Sequence, residues 1–163
     1  MLNTRKNVRA FIVRMLQNLK MLTKKNTEVR EDKWYRDRLR NMDIKYFKLS
    51  EFDSPDDTGS GENMCLSFLS KLDEARDLAG VSFKITSGYR TPRHNTSIGG
   101  VKNSSHTNIP CNACDISTPD SSTRYKIINS LLKVGINRIG IGKNFIHCDT
   151  DKKKSPNVIW HYY

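Results

Sequence analysis

The chain has 163 residues, with 28 Lys+Arg against 17 Asp+Glu and a formal net charge of +11. That length suits one domain with an appendage, and a domain of about 120 residues buries a core without disulfide staples. A hydrophobic content of 36%, four unevenly spread cysteines and no apolar run near the ~18 residues of a spanning helix exclude a membrane-embedded chain, a collagen and a disulfide scaffold.

The charge is uneven. Residues 1–40 hold 12 Lys+Arg and 4 Asp+Glu, with no Gly, Pro or Cys, whereas the remainder holds 16 and 13. Residues 1–42 therefore read as a basic, helical N-terminal arm ahead of a nearly neutral domain at 43–163. Arg14 interrupts the apolar run Ala10-Phe11-Ile12-Val13, and no small-residue cleavage site follows, so the arm is not a secretory signal. Contact with an anionic membrane or wall surface, a nucleic-acid arm and a plain solvated helix all fit such a segment.

Within the domain, Tyr46–Phe52 alternates as a short strand, and Ser54–Gly61 is a loop by its turn residues. From Asn63 to Ala79, Leu66, Leu69, Leu72, Ala75, Leu78 and Ala79 recur at steps of three and four, which predicts a helix stopped by Gly80. Val81–Thr86 alternates as a strand, Ser87–Ser105 is too irregular for a core element, and Ala113–Ile116 reads as a short buried strand. Ser122 or Thr123 can cap a second helix with Tyr125, Ile128, Leu131, Leu132 and Val134 inside, ended by Gly135. Strands at Arg138–Ile141, Phe145–Asp149 and Val158–Tyr162 complete an α+β domain, expected as a small antiparallel sheet with flanking helices.

The chemistry-bearing residues cluster late. Asp115 stands inside the apolar run Ala113–Ile116, where a carboxylate is costly unless paired or metal-bound. His147 and Asp149 lie two apart on a strand and so share one sheet face. His106, Asp115 and His147 make a three-ligand set for a catalytic zinc with a fourth position for water. Ordinary histidines beside hydrogen-bonded carboxylates fit the spacing as well.

The ordered string Thr86-Ser87-Gly88-Tyr89-Arg90-Thr91-Pro92, Asn95, Gly99-Gly100, Ser104-x-His106, Ala113-x-Asp115-Ile116, Gly140-Ile141-Gly142, Phe145-Ile146-His147-x-Asp149 and Trp160 resembles the zinc D-alanyl-D-alanine carboxypeptidase family of peptidoglycan peptidases. The likeness runs over about residues 44–163 and is greatest to the small forms of phages and prophages, among them endolysins. The family shares its fold with hedgehog signalling domains. The resemblance implies that His106, Asp115 and His147 bind Zn2+, and that Arg90 holds a peptide carboxylate or a developing oxyanion through its guanidinium fork. It also places Tyr89, Ser104 and Trp160 at the substrate, with a turn-forming role open to Ser104 and core packing to Trp160.

Two departures accompany it. Asp115 follows His106 by nine positions rather than the seven usual in that family, with Thr107–Asn112 in place of the usual stretch. The positions where relatives carry the base are Asn144 and Phe145, neither able to accept a proton from water. The acid/base role is therefore assigned to Asp149, with Asp151 in reserve. Cys111 and Cys114 form a C-x-x-C that reads as reduced thiols, a redox pair or a structural zinc pair. Cys148 is expected to face away from the metal and Cys65 to lie in the core. Tyr162 is expected to flank the cleft, and His94 and His161 to lie outside the site.

The expected function is hydrolysis of the stem peptide of bacterial cell walls, by a D,D-carboxypeptidase, D,D-endopeptidase or L-Ala–D-Glu endopeptidase of a phage lysis or entry system. The expected state is a monomer accumulating in the host bacterial cytoplasm and acting on the wall after release. The rivals are a non-catalytic, hedgehog-like zinc domain and, ranked low, a nucleic-acid binder.

Overall fold

The computed structural model describes residues 44–162, and the basic arm expected at 1–42 lies outside the described residues. The domain is α+β. Its elements are α1 (Leu66–Ala79), β1 (Ile85–Ser87), α2 (Pro92–Ser97), β2 (Ala113–Ser117), α3 (Ser121–Lys133), β3 (Arg138–Ile141), β4 (Phe145–Asp149) and β5 (Val158–His161), with 3-10 turns at Leu49–Phe52, Ser60–Asn63 and Ser105–Thr107.

The strands form one sheet in the order β1-β2-β4-β3-β5. Every pairing is antiparallel except β3 with β5, which is parallel. The expected all-antiparallel sheet is thus a mixed one, for a topological reason. β4 has β2 and β3 on its two edges, so the returning chain pairs on the free edge of β3. Running opposite to β4, it lies parallel to β3.

Period-two alternation divides the sheet into two chemically distinct faces. Cys114, Ile116, Ile139, Ile146 and Cys148 point to one side and are fully buried. Asp115, Arg138, His147 and Asp149 share the other, with Asp115 opposite His147 and Arg138 opposite Asp149. The first set joins Phe68, Leu69, Leu72, Ile127 and Leu131 of the helices in the fully buried core. The second forms the floor of a cleft.

α1 begins three residues later than its periodicity suggests, because Ser60–Asn63 turns as a separate 3-10 segment. It stops at Gly80, whose φ of +61° lies in the left-handed region that favours glycine. Leu78 at its end is exposed. α3 is capped by Asp120, two or three residues before the expected caps, through a 2.8 Å bond from the Thr123 amide to Oδ1. Its buried stripe is Ile127, Ser130 and Leu131, with Tyr125 and Leu132 exposed. Ser130 fits that stripe because its hydroxyl donates to the Ile127 carbonyl at 2.9 Å. The segment expected as a strand before the first loop is instead a 3-10 turn at Leu49–Phe52, closed by the Glu51 carboxylate accepting the Lys48 amide at 2.8 Å. α2 falls within the stretch expected to be irregular, although its start is legible: Thr91 caps it and Pro92 occupies the first turn. β1 is shorter than Val81–Thr86 predicts and carries a register shift between Ile85 and Ser87. Among the described residues no helix is long and apolar enough to cross a membrane.

Candidate metal centre

The 3-10 turn Ser105–Thr107, β2 and β4 deliver His106, Asp115 and His147 to one point from three places in the chain. Ser104 caps the turn, its hydroxyl accepting the His106 amide at 3.3 Å. The loop Thr107–Asn112 that follows His106 is held at both ends. Asn108 Nδ2 donates to Asp151 at 3.0 Å, and Cys111 exchanges backbone bonds with Asn63 and Cys65 before β2 begins.

The inward-facing donors lie close together. His147 Nδ1 is 2.9 Å from Asp115 Oδ1, His106 Nε2 is 3.3 Å from the same oxygen, and the two imidazole nitrogens are 3.1 Å apart. Donors around a tetrahedral zinc with bonds of roughly 2.0–2.1 Å stand about 3.3 Å from one another, so the spacing fits. The outward nitrogens fix the tautomers. His106 Nδ1 lies 2.6 Å from the Gly88 carbonyl, which can only accept, so Nδ1 carries the proton. His147 Nε2 lies 2.9 Å from Asp149 Oδ2 and donates to it. Two nitrogen lone pairs and a carboxylate oxygen then converge on one buried point. Such an arrangement requires a cation, either a shared proton or a metal ion.

The electrostatics agree. Burial favours neutral rings and lowers the His106 pKa despite its contact with Asp115. Burial also opposes charge on His147, but hydrogen bonds to the Asp115 and Asp149 carboxylates overcome it and hold that ring up at about 9. Asp115 is pulled well below the usual carboxylate range: burial alone would raise it, and the two imidazoles outweigh that.

Arginines flank the set. Arg90 Nη2 donates to Asp115 Oδ2 at 2.5 Å and Nε to Ser87 Oγ at 2.7 Å. On the other side Arg138 Nε donates to Asp149 Oδ1 at 2.7 Å, Nη1 reaches the Ser155 carbonyl, and the guanidinium carbon stands 5.4 Å from the Trp160 ring centre. Gly140 lies opposite both His147 and Trp160, and a Cβ there would come within 2.5 Å of Tyr162 and 2.8 Å of Trp160. A glycine at this point gives the two aromatic rings their place. The His147 ring centre is 5.6 Å from that of Trp160 and 6.5 Å from that of Tyr162.

A cavity of about 480 Å³ opens over these groups, lined by Arg90, Ser104, His106, Asp115, Arg138, His147, Asp149, Trp160 and Tyr162 among others. A second cavity of about 420 Å³ adjoins it, sharing Arg90, Asp115 and Phe145 and also bordered by Asn144. Arg90, Ser104, Trp160 and Tyr162 thus line the cleft.

Other expected residues lie elsewhere or are already engaged. Tyr89 is 5% exposed, lines neither cavity, and has its amide on the Phe52 carbonyl. The substrate contact expected of it therefore has no place in this cleft. Asp149 is 1% exposed, with Oδ1 accepting from Arg138 and the Asp151 amide and Oδ2 from His147. A base at this position would have to surrender those bonds. Its pKa is lowered: burial raises it, and the bonds from His147 and Asp151 outweigh that. Asp151, 5% exposed and outside the cavity lining, holds the loop through Ser105 and Asn108. The neighbour of the Cys114 sulfur is Cys148, 3.5 Å away on the core face, not Cys111. Cys148 therefore faces away from the site as expected. Cys111 is buried and its thiol is pushed up to about 12 by that burial, while Cys65 is half-buried rather than in the core. Among the described residues, the metal-ligating group that assembles is His106, Asp115 and His147. Arg138 escaped the sequence reading, although its place across from Asp149 follows from the register of β3 on β4.

Residues 45–149 match the family model described as Peptidase M15. The chain belongs to the peptidase M15 family. Members are zinc metallopeptidases, so the chain is assigned to the hydrolases, and its donor set suits that metal in number, chemistry and spacing. No curated protein and no solved structure matches the chain.

Proposed function

We propose that this M15 chain is a zinc-dependent peptidoglycan peptidase, cutting an amide in the stem peptide of bacterial cell walls as part of a phage lysis or entry system. The observation that supports it most directly is the convergence of His106 Nε2, Asp115 Oδ1 and His147 Nδ1 beneath an open, peptide-sized cleft. Bound zinc supplies Lewis-acid polarisation of a carbonyl and acidification of water.

The protein's own groups do the rest. Arg90 spends Nη2 and Nε on Asp115 and Ser87, and Nη1 serves the substrate's carbonyl oxygen or carboxylate. Trp160 and Tyr162 form the aromatic wall along which the peptide lies. In place of the acid/base role expected of Asp149, its bonds favour positioning: it fixes the His147 tautomer and ring plane, as carboxylates behind metal-binding histidines do. The basic arm carries the enzyme to anionic wall or membrane surfaces once it leaves the producing cell.

The test is release of stem-peptide fragments from purified peptidoglycan by the zinc-loaded full chain. Release stops on chelation and in His147→Ala; hydrolysis that persists after complete zinc removal refutes the mechanism. The competing reading, a zinc domain that binds without cutting, draws on Asn144 and Phe145 at the edge of the second cavity, where relatives carry a base. It predicts zinc uptake with no release of any fragment.

A further inference from the structure

Resting on that hydrolase reading, we propose that Lys154 is a specificity-determining group that receives a carboxylate carried by a residue flanking the scissile amide, so that the preferred substrate is an anionic peptide. Lys154 lies between β4 and β5 and lines the same cavity as His106 and His147. Its Nζ donates to Ser105 Oγ at 2.8 Å, which fixes the ammonium beside the residue that precedes His106. The nearest carboxylate, Asp151 Oδ2, is 3.9 Å from Nζ and already accepts from Ser105 Oγ and Asn108 Nδ2, both at 3.0 Å. Asp151 Oδ1 accepts the Lys153 amide at 3.0 Å. Asp151 thus tethers Lys154 through the Ser105 hydroxyl without covering it, and the lysine side chain is 32% exposed.

The other charges of the cleft are paired, with Nη1 of Arg90 alone left for the reacting carbonyl or a carboxylate. Among the described lining residues the anions are Asp115, paired with Arg90, and Asp149, paired with Arg138. Lys154 places one of its three donors on Ser105, and its nearest anion is Asp151 at 3.9 Å, beyond hydrogen-bond distance. A divalent ion on the three ligands adds to this excess of positive charge. A carboxylate brought into such a cleft gains charge-assisted hydrogen bonds, and a lysine receives it as a point charge from a range of angles.

The experiment first identifies the fragments released by the zinc-loaded full chain, and so the bond cut, and then compares two synthetic stem pentapeptides that differ only in whether the carboxyl group next to that bond, glutamyl α-carboxyl or C-terminal, is free or a carboxamide. The wild type is expected to prefer the carboxylate peptide about tenfold in kcat/KM, mostly through KM, with the margin shrinking as salt rises. Lys154→Gln should bring the ratio near one, and Lys154→Arg should keep it. Equal kcat/KM for the two peptides in the wild type, or a ratio unchanged in Lys154→Gln, overturns the proposal. If the wild type cleaves neither peptide, calorimetric binding of the same pair decides. A carboxylate preference lost in Lys154→Gln keeps the subsite while refuting the hydrolase reading, and equal binding refutes the subsite.

Discussion

Replacing Asp149 by Asn keeps the shape of the side chain and removes its charge. The carboxylate receives three donors: Arg138 Nε at 2.7 Å, the Asp151 amide at 2.9 Å and His147 Nε2 at 2.9 Å. An amide has one accepting oxygen, and its NH2 would face at least one of these donors. The Arg138 side chain is 10% exposed, so its charge would remain buried beside a neutral partner. Stranding a buried charge costs about 3–5 kcal/mol, and the oxygen that Asn keeps brings the expectation to the low end, about 3 kcal/mol. For a domain of this size that lowers Tm by roughly 10 °C. Loss of the carboxylate behind a metal-binding histidine should also weaken zinc binding by about 10–100-fold. Zinc affinity is read by competition with a chromophoric chelator at a temperature where both proteins are folded, and kcat/KM is then measured at saturating zinc. A positioning role predicts weakened zinc affinity with most turnover restored by excess metal. A base role predicts unchanged affinity and a kcat that stays down by about 10²–10⁴ at any zinc concentration. Unchanged affinity would therefore refute the positioning role.

Gly140→Ala should cost about 1–3 kcal/mol and lower kcat/KM together with stability, since the new methyl displaces the Trp160 and Tyr162 rings; full activity with an unchanged Tm would show that those rings yield freely. Chelation should lower Tm, and zinc at a hundred times its Kd should raise stability by about 2.7 kcal/mol in a concentration-dependent way; a Tm indifferent to zinc would show that the three donors hold none. Asp56 is held at about 2 by hydrogen bonds from Ser54, then Thr91 and Arg93, against an ordinary value of 3.8. Its depressed pKa adds stability above pH 3.8 that is lost as pH falls through 2, so wild type and Asp56→Asn should differ at pH 5 and converge near pH 2 in denaturant titrations, with parallel curves counting against the assignment.

Much of this was legible because a β-strand exposes its chemistry at every second residue. His147 and Asp149 on one face, with Cys148 behind them, follow from Phe145–Asp149 as a strand. What the spacing could not show was that Asp149 meets the ring nitrogen opposite the metal and is closed off by Arg138, since that depends on the register between β3 and β4. The buried stripe of α3 was misplaced because Ser130 counts as polar in a pattern, yet it bonds its own helix and takes an inner position that Leu132 leaves. Tyr89 belongs to a motif that reaches the site, but the amide after Gly88 pairs with Phe52, and the ring turns into the core. The parallel β5 depends on which sheet edges are occupied, a property of the assembled fold.

Arg90, Asp115, His147, Asp149 and Arg138 form a row across the floor of the cleft, an arginine–carboxylate pair on either side of one imidazole. Burying five such groups is unfavourable for each alone, and exchange for apolar side chains would often leave a fold as stable or more so. Stability therefore does not explain the row. Its geometry does account for two properties a metal centre needs. Each arginine orients a carboxylate, and Asp149 takes the proton of His147 Nε2, which directs the lone pair of Nδ1 inward beside Asp115. His106 is held separately by the Gly88 carbonyl. The inward donors are thus aligned before any ion arrives, so little of the binding energy goes into ordering them. The two arginines close the row at its ends, and Lys154, set off to one side on Ser105, stands as a further cation at the cleft, where the proposed carboxylate subsite lies.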